Sequence, residues 1–223
     1  MAVLRIAQMR NDVTVPEEVV LDSVRFVRWA GPAGVVGGVA WVIGTAIHAS
    51  RPVGCVGAGC AQSAMRESST VEDALALTAL LLFLVAAAGL MVLVRSANRF
   101  GTLGRIGTGL ALVGTCLLIA AMGVNALLFH GDFTLMPYFV VPGIAAVVIG
   151  LLCLAINVLR AGVLPPWASV SLVMGALSLG VSNEQAATAW FAVPLGLAWI
   201  AVGIALGRAT IPPATAGEAR PVP

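Results

Sequence analysis

The chain has 223 residues, of which 60% are hydrophobic and 10% charged, with mean hydropathy +1.02 and formal net charge +2. A soluble domain carries about 25% charged residues, so this composition excludes an ordinary water-soluble fold and makes the lipid bilayer the solvent for most of the chain. The small net charge, without a basic stripe interleaved with aromatics, excludes nucleic acid as a partner. All basic residues are arginine, which excludes a Schiff-base cofactor or a catalytic lysine.

The first thirty residues are polar enough to stand apart. Asp12, Glu17, Glu18 and Asp22 precede the first apolar run, a pattern unlike a cleavable signal, in which a short basic region leads directly into an apolar core. Thr14-Val15-Pro16-Glu17 reads as a helix start, and Val20, Val24 and Val27 then share a face, with Trp29 nearby. The expectation is a short amphipathic helix over 16–29 on the inner membrane surface, turned into the bilayer by Gly31-Pro32. The alternative is a polar leader that extends the first span.

A membrane-crossing helix needs about 20 apolar residues. Six stretches meet or approach that length: 31–49, 74–94, 106–129, 137–159, 165–182 and 186–207, none with Asp, Glu, Lys or Arg in its interior. The expected fold class is therefore all-α, six transmembrane helices arranged as three hairpins over 31–207, between the N-terminal segment 1–30 and a Pro- and Ala-rich disordered tail at 208–223. Ser69-Thr70-Val71-Glu72-Asp73 offers a capping box for the second span, and Ser182-Asn183-Glu184-Gln185 offers one for the sixth.

Arginine placement orients the bundle. With the N-terminus inside, Arg5, Arg10, Arg25, Arg28, Arg95, Arg99, Arg105, Arg160, Arg208 and Arg220 are inside and only Arg51 and Arg66 are outside. The positive-inside rule then places both termini in the cytoplasm. Ala30, Gly34 and Gly38 on the first span, and Gly107, Thr108, Gly114 and Thr115 on the third, form small-residue stripes. Such stripes let helix backbones approach closely, within one bundle or against a partner. A faint echo relates Tyr138-Phe139-Val140-Val141-Pro142 to Trp190-Phe191-Ala192-Val193-Pro194, as if spans 3–4 and 5–6 were related hairpins.

Reactive candidates are few. Asn125 and Asn157 are the polar side chains deepest in spans 3 and 4, expected to hydrogen-bond neighbouring helices. No span interior holds an ionisable residue, which argues against a proton-coupled pump or a midplane site for a charged substrate. His48 and His130, the two histidines, fall near the outer surface and are haem candidates; no other cofactor and no metal site is expected. Cys55 and Cys60 lie in the first outer loop among glycines 54, 57 and 59. They read as a structural disulfide, with a redox-active pair or free thiols as the alternatives. Cys116 and Cys153 lie within spans 3 and 4 and are expected to pack as small buried hydrophobes.

The stretch "VLRAGVLPPWASVSLVMGAL" over 158–177 contains Leu159, Arg160, Ala161, Val163, Leu164, Pro165, Trp167 and Ala168. This resembles an L-R-A-x-V-L-P-x-W-A turn of uncharacterised bacterial multi-span membrane proteins, where it links two helices on the cytoplasmic side. The resemblance covers about a tenth of the chain. It implies a bacterial six-span bundle in the cytoplasmic membrane and carries no activity or site residue. The function expected is that of a non-enzymatic accessory, regulatory or interaction subunit, with a membrane-protein partner or a second copy. A permease for a neutral or lipophilic compound, and an oxidoreductase using haem or the outer cysteines, are the alternatives.

The threading has a direct test. In a background without native cysteines, single cysteines replacing Asn98 and Ala216 should be protected from a membrane-impermeant maleimide in intact cells, and one replacing Asp132 should react. The reverse pattern would invert the bundle.

Overall fold

The computed structural model describes residues 17–55, 66, 68–97, 99–128 and 135–209. Their regular structure is helical throughout: α1 (Glu17–Ala49), α2 (Thr70–Ser96), α3 (Thr102–Leu128), α4 (Met136–Ala161), α5 (Pro166–Val181), a 3-10 turn (Ala187–Ala192) and α6 (Val193–Arg208). Backbone polar groups have no water to bond in hydrocarbon, so an apolar chain satisfies them within helices. Arg25–Ala49, Thr70–Ser96, Thr102–Asn125, Met136–Ala161 and Ala187–Arg208 are long and apolar enough to cross a membrane. The chain is thus a multi-pass membrane protein. At 16 residues each, α5 and α6 rise about 24 Å against a hydrocarbon core of about 30 Å; the 3-10 turn extends the α6 segment to 22 residues, and α5 is the shorter apolar helix.

The N-terminal expectation needs correcting. The chain does not turn at Gly31-Pro32; α1 runs through both residues as one helix of 33 residues, with Pro32 inside it. Burial explains this. Val27 and Ala30 are 1% and 0% exposed, and Ala30 sits where a Cβ on Gly89 of α2 would fall. Gly31, one residue on, lies against the Gly207 backbone of α6. A break at 31–32 would separate contacts that a straight helix makes together.

α1 is the hub. It packs along α2 on one side and along α6 on the other; α5 bridges α6 to α4, and α3 is held mainly by α4. The main seams are made by glycine. On the α1–α6 seam, a Cβ on Gly203 would lie 2.6 Å from the Gly31 carbonyl oxygen, and one on Gly34 would lie 3.1 Å from Gly203 Cα. Gly38 and Gly196 oppose each other one to two turns further along. On the α3–α4 seam, a Cβ on Gly107 would meet the Leu154 nitrogen at 2.7 Å, and one on Gly114 would meet the Gly143 carbonyl at 2.6 Å. Both sequence stripes therefore close inside the bundle. Above the α1–α6 seam, Phe83 stacks on Trp199 with centroids 4.9 Å apart, and Trp41 tilts against Phe83 at 6.0 Å.

Helix ends show which local signals were read correctly. Ser69 caps α2: its hydroxyl accepts from the Glu72 amide at 3.4 Å and donates to Glu72 Oε1 at 3.0 Å. Ser182 does not start α6. It ends α5, with its hydroxyl donating back to the Leu179 carbonyl at 2.8 Å. The chain then passes through the 3-10 turn, so the Trp190–Pro194 half of the echo straddles a change of helix type while Tyr138–Pro142 is α-helical. In the 159–168 turn, Gly162 adopts φ 64 as the C-terminal cap of α4, a left-handed conformation suited to glycine. Pro165 and Pro166 then open α5. Leu164 and Ala168 are buried, and Trp167 is half exposed.

The seams predict an asymmetric glycine scan. Gly203→Ala or Gly107→Ala forces a Cβ into backbone and should cost about 1–3 kcal/mol, seen as a lower unfolding temperature in detergent. Gly109→Ala, where nothing lies within 4 Å, should leave stability unchanged or slightly raised.

Candidate functional site

Folding gathers the polar chemistry at one end of the bundle. The C-terminus of α1, the N-terminus of α2 and the α5–α6 connection meet there. Glu72 is the centre. It is 4% exposed, and its carboxylate takes Arg51 Nη2 at 2.6 Å on Oε1 and His48 Nδ1 at 3.0 Å on Oε2. The capping box explains why a carboxylate is buried here: the hydroxyl and backbone of Ser69 supply donors that partly replace water. His48 projects from the last turn of α1, four residues past Gly44, whose small size admits the α2 backbone near Leu75.

A second cation sits beside this group. Arg66 is 7% exposed. Its Nε donates to the Pro52 carbonyl at 3.0 Å and its Nη1 to the Glu184 carbonyl at 2.8 Å, while its amide donates to Gln185 Oε1 at 2.6 Å. Its Nη2 is buried with no hydrogen-bond partner. The Gly54 amide donates to the Gln185 carbonyl at 2.9 Å, and His48 Nε2 lies 3.3 Å from the Glu184 carbonyl. Lower down, Trp41 Nε1 donates to the Ala192 carbonyl at 2.8 Å. The α1–α2 and α5–α6 connections are thus tied to each other and to α1 by side chains. Chemically the cap can hold charge and order loops; among the described residues no group of three or more His, Cys, Asp or Glu could hold a metal ion.

The site candidates from the sequence scatter. His48 belongs to the cap, with both ring nitrogens turned to protein oxygens, while His130 lies outside the described residues. Cys116 and Cys153 carry free thiols. Cys116 is exposed on the outer face of α3 instead of packing inside, because α3 turns Gly107 and Gly114 to α4 and so points Cys116 away. Cys55 is engaged, not free, and Cys60 lies outside the described residues. Asn157 is buried over Gly104 of α3 and Gly101 just before it, and its Nδ2 makes no hydrogen bond among the described residues; Asn125 is half-buried and engaged in a contact of its own. Glu72 was read only as a capping residue and Arg66 only as one of two outer charges. The available signal was their position flanking a span with His48 and Arg51 at the end of the preceding one.

At the opposite end Arg25, Arg28, Arg95, Arg99, Arg105, Arg160 and Arg208 are all exposed. Arg99 Nη1 closes the α4 terminus by donating to the Ala161 carbonyl at 2.7 Å, and Arg95 lies 5.0 Å over the Phe100 ring.

Fold and site together define a helical multi-pass membrane protein whose buried charges form a cap at one end and not a site at mid-depth. No known family, curated protein or solved structure matches the chain.

Removing the central charge tests the cap. Glu72→Ala leaves Arg51 and His48 facing a desolvated gap and should cost roughly 2 kcal/mol, less than the roughly 3–5 kcal/mol of a fully buried pair because Arg51 is part exposed. Thermal unfolding in detergent measures this. Asp73→Ala on the same turn should cost under about 0.5 kcal/mol.

Proposed function

We propose that the protein is a non-enzymatic subunit of a bacterial cytoplasmic membrane, with six spans and both termini inside, that works by lateral association with a membrane partner or a second copy. The observation that carries this reading is on α3. Gly104, Gly107 and Gly114 are matched by α4, but Gly109 and Gly123 meet nothing within 4 Å. Exposed Cys116 lies midway, seven residues from each, and seven residues is nearly two helical turns. The result is a line of small residues facing out of the bundle. Glycine costs backbone freedom in a helix, and in lipid its return is close helix contact. Because α3 is held mainly by α4, this face stays open along the membrane.

The arginine-rich end supports the orientation, since the antiparallel helices bring seven arginines to one end and leave Arg51 and Arg66 at the other. The disulfide reading of Cys55 with Cys60 draws on Cys55, which is engaged and is not among the free cysteines. The chain is held at Gly54 and again at Arg66 by their contacts to Gln185. A second reading, passage of a neutral or lipophilic compound, draws on Pro32 and Pro142 inside helices and on the unpaired buried Thr108 Oγ1 and Asn157 Nδ2.

Cys116 itself reports on the association. With Cys153 replaced by Ala and the outer cysteines by Ser, a photo-crosslinker attached at Cys116 in native membranes should give one discrete adduct, with a second copy or with another membrane protein. Gly109→Leu with Gly123→Leu should abolish the adduct while the unfolding temperature holds. Only lipid adducts, with a monomer in mild detergent, would end this proposal.

A further inference from the structure

We infer that His48 is a pH-dependent clasp that adds a tie from the end of α1 to the α5–α6 connection when its imidazole is protonated and gives up that tie when it is neutral. The geometry is one ring between two acceptors. Nδ1 lies 3.0 Å from Glu72 Oε2, and Nε2 lies 3.3 Å from the Glu184 main-chain oxygen. The carboxylate has Arg51, His48 and Ser69 as donors; a carboxylate only accepts, as does a carbonyl. A neutral imidazole has one N–H and one lone pair. It can serve one of these oxygens, and it then points a lone pair at the other. An imidazolium donates to both, so the ring makes both bonds at once only in the cationic form.

The surrounding charges set which bond is lost. Glu72 on α2 is the charge against Nδ1, with Asp73 beside it on the same first turn. Arg51 shares that carboxylate and Arg66 shares the Glu184 carbonyl, and the Glu184 side chain is exposed on the connection itself. On deprotonation the shorter, charge-assisted contact to Glu72 keeps the remaining proton on Nδ1. The Glu184 carbonyl gives up its histidine partner and keeps Arg66. The clasp is thus closed at low pH and opens as pH rises through the range in which histidine side chains change charge. Opening frees one of the ties that hold residues 183–192, the stretch that carries exposed Trp190 and Phe191 and leads into α6. The inference does not depend on the function proposed above, since it concerns the cap and not the outer face of α3.

Two readouts test it on the full chain in lipid nanodiscs. The sequence has two histidines, so His130→Gln leaves His48 as the sole ring signal in nitrogen-15 spectra. Imidazolium with both nitrogens protonated is expected at pH 5.5, converting to the Nδ1–H tautomer by pH 8. In parallel, amide exchange in 183–187, corrected for the intrinsic pH dependence, should rise roughly tenfold, the factor that one charge-assisted hydrogen bond confers. His48→Gln should abolish the pH response while leaving exchange in α3 and α4 as in the parent chain. A neutral ring at pH 5.5, a Nε2–H tautomer at high pH, or the same pH response in His48→Gln would each overturn the clasp.

Discussion

Helices in lipid gain nothing from burying apolar surface against each other, because the lipid is as apolar as the side chains. What remains is contact, and contact requires that backbones come close. The two glycine seams, α1 on α6 and α3 on α4, meet this requirement, and the rest of the bundle is arranged around them. Gly31, Gly34 and Gly38 face Gly196, Gly203 and Gly207 so closely that an added methyl would strike backbone at several of these positions. With α6 locked to α1 in this way, α2 takes the other side of α1, and Phe83 reaches across to stack on Trp199. The α3–α4 pair is a second closed unit, joined to the first mainly through α5.

The seams also explain where polar chemistry can exist. Backbones in contact leave no room at mid-depth for a solvated ion or its counter-charge, and burial of an unpaired charge costs several kcal/mol. Charges therefore gather where helices end and loops supply donors and acceptors. At the cap, Glu72 collects His48, Arg51 and Ser69, while Arg66 spends its donors on main-chain oxygens of two different connections. Of the buried polar atoms that lack partners among the described residues, Asn157 Nδ2, Thr108 Oγ1 and Ser169 Oγ are uncharged, the cheaper kind of exception, and the fourth, Arg66 Nη2, belongs to a guanidinium whose other nitrogens are bonded at the cap. The proposed lateral surface and the proposed pH-sensitive cap are compatible with one molecule because they occupy different parts of it: one along α3, the other at the α1–α2 and α5–α6 connections.

The sequence by itself determined the class. Hydropathy and the absence of interior charge are one-dimensional properties, so a bilayer solvent and helical segments were legible: the later expected stretches coincide with helical segments to within about four residues, whereas the first lies inside α1, which begins at Glu17. The Ser69–Glu72 cap and the 159–168 turn were legible too, because their partners lie within a few residues. Tertiary structure decided the rest. The helix runs straight through Gly31-Pro32 because Val27 and Ala30 are buried against α2, a partner 50 to 60 residues away in sequence. Ser182 closes α5 instead of opening α6 because a 3-10 turn places Ala192 under the Trp41 indole. Cys116 faces outward because α4 claimed the opposite face of α3. Glu72, His48 and Arg66 look unrelated along the chain, and only the meeting of three helix ends in low dielectric makes them one charged group. Local pattern carries what a segment is; which of its faces is used depends on the backbones it can approach, and that information is distributed over the whole bundle.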